Sequence, residues 1–142
     1  MISLENENKT ILMVDDEIDI LELFGECLRS EGYNVQLFND PTKLLEYICY
    51  NPNCPLVITD YKMPKIGGID LIKKIREIDD GFKIKIILIS AYLEDGITNN
   101  YDTNELENLK IDKILEKPIK INELTNIVKK VIEIEEPLLE RR

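Results

Sequence analysis

The chain has 142 residues, 44% hydrophobic and 32% charged, and its 18 basic against 28 acidic side chains give a net charge of −10. That length and balance suit one globular domain with a real core, and the acidic surplus argues against direct binding to nucleic acid or to an anionic membrane surface. There is no histidine, which excludes Ser-His-Asp and Cys-His catalysis and His-ligated zinc. Any chemistry has to come from carboxylates, hydroxyls, lysine and a hard metal ion.

Met1–Thr10 is polar and has no apolar centre, so it does not read as a signal peptide. Residues 1–8 are expected to be a polar extension. Thr10–Val14 reads as the first strand and runs into Asp15-Asp16-Glu17. Ile18, Leu21 and Leu28 then follow helical spacing up to Gly32, a C-terminal cap residue. Asn34–Phe38 alternates as a second strand. Asp40-Pro41 is a cap followed by a first-turn proline, opening a helix over Lys43–Tyr50.

Leu56–Thr59 reads as a strand buried on both faces, and it ends in Asp60. The run Lys65-Ile66-Gly67-Gly68 is expected to be a flexible turn. Ile69–Ile78 is the third helix, with positions 69, 72, 75 and 78 on its core face. After the turn Asp79-Asp80-Gly81, Lys85–Ile89 is the most apolar run and the expected central strand, ending in Ser90-Ala91. From Tyr92 to Lys110 the pattern predicts a polar loop with a short helix near Glu105–Lys110. Ile111–Leu115 reads as the fifth strand, ending at Glu116-Lys117-Pro118. Asn122 is the expected cap of a last helix, Glu123–Glu136, and 137–142 form a short tail.

Strands alternating with helices predict an α/β fold: a doubly wound parallel sheet with helices on both faces. No run approaches the ~20 apolar residues of a membrane span. Cys27, Cys49 and Cys54 are odd in number and form no Cys-x-x-Cys pair. They read as buried thiols of a reduced, cytoplasmic protein.

All strand ends of a parallel sheet share one edge, and in open α/β sheets that edge binds ligands. Asp60 alone could be a turn residue. With Asp15, Asp16, Ser90 and Lys117 it forms a set drawn from four of the five strand ends. Clustered carboxylates repel unless neutralised, and a hard divalent cation with oxygen ligands would do so. A metal, a lysine and a hydroxyl around one carboxylate suit phosphoryl transfer, with the carboxylate as an already anionic nucleophile.

These residues resemble the receiver domain of two-component response regulators over about Lys9 to Glu136. The resemblance rests on Asp15-Asp16, on Asp60-x-x-Met63-Pro64-x-x-x-Gly68, on Ser90-Ala91 and on Lys117-Pro118. It implies a flavodoxin-like (βα)5 fold with strand order 2-1-3-4-5. It implies that Asp60 is the phosphoacceptor and that Asp15, Asp16, Asp60 and the Lys62 backbone carbonyl hold Mg2+ or Mn2+. Ser90 and Lys117 would bind the phosphoryl group, the Lys117-Pro118 peptide would be cis, and Lys62 and Tyr92 would modulate the acyl-phosphate lifetime. The donor would be a histidine kinase or histidine phosphotransfer protein, the output an unknown partner, and catalysis limited to self-phosphorylation and self-dephosphorylation. Ile114 stands where the family usually carries a switch aromatic.

Other readings remain open at this point. The chain could be the receiver part of a longer regulator or hybrid kinase, or a degenerate receiver that only docks. A phosphatase with an Asp nucleophile would need Asp-x-Asp after strand one, whereas here Asp15 and Asp16 are adjacent. A flavodoxin would need a Ser/Thr/Gly-rich loop there.

Overall fold

A computed structural model describes residues 9–91 and 101–133. Among them are five strands and five helices. They run β1 (Thr10–Val14), α1 (Ile18–Ser30), β2 (Asn34–Phe38), α2 (Pro41–Tyr50), β3 (Leu56–Asp60) and α3 (Gly68–Ile78), then β4 (Lys85–Ser90), α4 (Thr103–Leu109), β5 (Lys113–Glu116) and α5 (Ile121–Glu133). The sheet is parallel, in the order β2-β1-β3-β4-β5. This is the doubly wound architecture that the alternation predicts. The order reverses beside β1, so the ends of β1 and β3 form the crevice where such sheets hold ligands.

Side-chain alternation divides the core in two. Ile11, Met13, Ile58, Ile87 and Ile89 face α1 and α5, meeting Leu21, Phe24, Leu124 and Val128. Leu12, Val14, Val57, Ile86 and Leu88 face the other way, onto Leu44, Ile48, Ile72, Ile75 and Leu109. Each such buried side chain contributes about 1.5–3 kcal/mol. A strand with both faces covered has little room for charge until it ends, so the first carboxylates after β1 and at the end of β3 fall at the carboxyl edge.

Local chemistry fixes the boundaries. Asp40 caps α2 by accepting the Thr42 N–H at 2.9 Å, ahead of Pro41. Gly32 closes the α1 end with φ at 99°. The fourth helix starts earlier than the sequence suggests, because Asp102 accepts the Glu105 N–H at 2.7 Å. Lys110 lies beyond it in a left-handed conformation, φ 55°. The fifth strand starts two residues later than expected. The Asp112 carboxylate takes the Ile86 N–H at 2.7 Å in place of a regular ladder bond, and Ile111 packs sideways into the α3 side of the core. The last helix begins at Ile121, with the Leu124 N–H donating to the Lys120 carbonyl. Asn122 is therefore a first-turn residue and not its cap. The proposed extension of that helix past Glu133, the extension 1–8 and the tail 137–142 lie outside the described residues.

The turn expected over Lys65-Ile66-Gly67-Gly68 stops one residue short, at Gly67. Gly67 precedes α3, and Gly68 is its buried first residue. A Cβ on Gly68 would collide with the Asp60 carbonyl oxygen and come within 2.9 Å of Tyr61 Cα, so glycine allows α3 to start directly against the end of β3. Of the three cysteines expected to be buried, Cys54 is, whereas Cys27 is half-buried and Cys49 is exposed. Burial pushes the Cys54 thiol up to about 12, which leaves it unreactive.

Candidate functional site

Asp15 follows β1, Asp60 ends β3, Ser90 ends β4 and Lys117 follows β5. Asp15, Asp60 and Ser90 are all buried. The ladder gathers them. Asp60 lies opposite Ile89, and the Tyr61 N–H donates to the Ile89 carbonyl at 2.8 Å. Ser90 lies opposite Glu116, and its carbonyl accepts the Lys117 N–H at 2.8 Å. The Lys117-Pro118 peptide is cis.

Lys117 Nζ stands 2.9 Å from Asp60 Oδ1, forming an ion pair at the mouth of the crevice. Carboxylate oxygens of Asp15, Asp16 and Asp60 lie within 4.8 Å of one another. Asp15 Oδ1 accepts the Glu17 N–H at 2.9 Å, which orients it at the entrance to α1. A turn bond to the residue that opens α1 therefore holds one of the three successive acids, while Asp16 is exposed at the same crevice.

The electrostatics are unbalanced. Burial pushes the Asp15 carboxyl up to about 6; Asp60 and Asp16 push in the same direction, and the Glu17 N–H and Lys117 oppose them. Burial also raises Asp60, more than its hydrogen bond and ion pair with Lys117 lower it. At Lys117 burial works downward, but the Asp60 hydrogen bond and the nearby carboxylates win and raise its pKa. Three carboxylates and one ammonium sum to −3 + 1 = −2. Crowded hard oxygen donors with a deficit of two positive charges fit a divalent cation such as Mg2+.

Other expected site residues sit at the margins. Lys62 is exposed in the β3–α3 connection. Ile114 is half-buried on the α3 side of the core, opposite Leu88. Tyr92 lies outside the described residues.

Two features escaped the sequence reading. One is the contact of Gly68 with the backbone of Asp60, for which the Gly67-Gly68 pair at a helix start was the available signal. The other is a cleft of about 810 Å3 beside the acidic crevice, with Asp15 and Lys117 at one end and Ile20, Leu23, Phe24 and Ile119 along it. Leu23 of α1, which lines it, stands 51% exposed.

Comparison with known proteins agrees with this geometry. The family model described as a response regulator receiver domain matches residues 11–129. The transcriptional regulatory protein CpxR homolog of Haemophilus influenzae is 30% identical over 86% of this chain and 49% of its own length. Sporulation initiation phosphotransferase F of Bacillus subtilis is 30% identical over 88% of this chain and 94% of its own length. The chain thus spans about half of the first relative and nearly all of the second. A solved response regulator receiver domain protein from Clostridium thermocellum has a TM-score of 0.76 at 26% identity, covering 92% of this chain and 98% of that one. No helix among the described residues is long and apolar enough to cross a membrane. With strand order, acidic crevice and family match in agreement, the chain belongs to the receiver domains of two-component response regulators.

Proposed function

We propose that this receiver accepts a phosphoryl group from a phosphohistidine donor onto Asp60, in a reaction that depends on Mg2+ or Mn2+. The observation that carries the reading is the 2.9 Å pairing of Lys117 with Asp60 inside a crevice shared with Asp15 and Asp16. An Asp60 oxygen attacks phosphorus in line, forming the O–P bond as the N–P bond of the donor breaks. The electron pair leaves on the donor imidazole, which takes up a proton. Asp60 is already anionic, so no general base is needed. Lys117 shifts from the carboxylate to a phosphoryl oxygen, and the Ser90 hydroxyl donates to another.

Asp15, Asp16, Asp60 and the Lys62 carbonyl would hold the cation, which supplies positive charge against the remaining phosphoryl oxygens. The side chains of Lys62 and Tyr92 would tune how water reaches the acyl phosphate. The donor is a histidine kinase or histidine phosphotransfer protein, and its histidine lies outside these 142 residues, which contain none. Leu23, exposed along the apolar cleft, offers the donor a docking contact. The phosphorylated state then controls an output partner.

The test is incubation with phosphoramidate or acetyl phosphate and Mg2+, read by intact mass. Wild type gains one phosphate and Asp60→Asn gains none. An adduct of equal yield in Asp60→Asn, or none in wild type with either donor, would overturn the assignment.

A further inference from the structure

Phosphorylation has to be reported to a surface, and Ile114 lacks the ring that the family resemblance assigns to that task. Another connection runs from the acceptor. Gly68, at the start of α3, donates its N–H to the Tyr61 carbonyl at 2.7 Å and lies against the carbonyl of Asp60. Any shift of the β3 end is felt by the first residue of α3, because there is no gap to absorb it.

Two basic residues one turn apart on α3 then hold both ends of α4. Lys73 Nζ pairs with Glu105 Oε2 at 2.7 Å and sits 5.4 Å from the centre of the Tyr101 ring. Arg76 is buried. It donates to the Leu109 carbonyl at 2.8 Å and to the Lys110 carbonyl at 2.9 Å, two acceptors at the C-terminal end of α4. Its other bonds, to Asp79 and the Ile84 carbonyl, fix the guanidinium in place. A helix of seven residues tied at both ends to its neighbour moves with that neighbour.

We propose that α3 and α4 form one reporting unit, which phosphorylation at Asp60 displaces through Gly68, independently of residue 114. This inference rests on Asp60 being the acceptor. It assigns Lys73 and Arg76 as positioning residues that couple the two helices.

The test is amide hydrogen exchange of the full chain with and without beryllofluoride (an acyl-phosphate mimic) and Mg2+. The readout is the change on activation, which a purely structural role would not alter. In wild type, residues 56–62, 68–72 and 103–110 all respond. Lys73→Met and Arg76→Lys retain the response at 56–62 and 68–72 but lose at least threefold of it at 103–110. Ile114→Ala keeps the full response at 103–110. A full response at 103–110 in Lys73→Met, or its loss in Ile114→Ala, overturns the coupling, as does a wild type that responds at 56–62 but not at 103–110. A wild type silent at 56–62 removes the acceptor assignment and this inference with it.

Discussion

Two cation–carboxylate pairs of nearly equal length lie at opposite edges of the sheet. Arg76–Asp79 measures 3.0 Å with both side chains buried, and Lys117–Asp60 measures 2.9 Å with Lys117 34% exposed. The first is complete. Asp79 also accepts the N–H groups of Lys83 and Ile84, and Arg76 reaches three carbonyls besides Asp79. The second is short of positive charge, because one lysine faces three carboxylates. A buried ion pair satisfied by its own surroundings serves the fold. One left two charges short invites a ligand.

The largest expected effect separates the two pairs. Arg76→Met strands the Asp79 carboxylate in the core and removes the donor from the Leu109, Lys110 and Ile84 carbonyls, which costs about 3–5 kcal/mol. Lys117→Met costs less than that, since its ammonium is a third exposed and Asp60 lies at the open crevice rather than in the core, but slows phosphoryl uptake about a hundredfold or more. Urea midpoints and the phosphoramidate reaction measure both. If Lys117→Met unfolded the protein, or Arg76→Met left its stability intact, the division into structural and functional pairs would fail.

That division was half visible in the sequence. Asp15, Asp60, Ser90 and Lys117 were legible because each ends or directly follows an apolar run, and a parallel sheet collects such ends without further information. The strands and most helices were legible for the same reason: their apolar periods are long and end at Gly, Pro or Asp. Arg76 was not, because a basic residue in the last turn of an amphipathic helix reads as solvated, and two of its three carbonyl partners are 33 and 34 residues away. Asp112 was missed because a side chain replacing a ladder bond leaves no periodic trace. Asp102-x-x-Glu105 could have been read as a capping pair, but the polar residues around it hid the helix.

The next effect tests the charge deficit through pH. Asp15 sits near 6 when folded, against an ordinary value of 3.8. An acid raised by folding adds stability fully below its unfolded value, and that stability is lost as pH rises through the folded one. The difference of about two units corresponds to about 3 kcal/mol as an upper figure. Without divalent cations, Asp15→Asn is therefore more stable than wild type at pH 7, by about 2 kcal/mol, and the two converge near pH 4. Urea unfolding at both pH values reads this. An Asp15→Asn protein no more stable than wild type at pH 7 would mean that the crevice is not electrostatically strained, and the contrast with Asp79 would lose its basis.

The smallest effect sharpens the comparison by filling the deficit. A divalent cation that binds only the folded chain stabilises it by RT ln(1 + [L]/Kd), about 1.4 kcal/mol at tenfold excess over Kd. Mg2+ should add that increment to wild type and remove most of the advantage of Asp15→Asn. In Asp16→Asn the increment should shrink strongly, while the exposed position of Asp16 leaves the fold itself little changed. The Arg76–Asp79 pair has no room for such a ligand, because its oxygens are already taken by N–H donors. Arg76→Met should therefore show the same Mg2+ increment as wild type, from a lower baseline, as distant independent sites do. Stabilisation of equal size from NaCl at matched ionic strength would trace the effect to general screening of a −10 chain, and the crevice would then hold no specific cation.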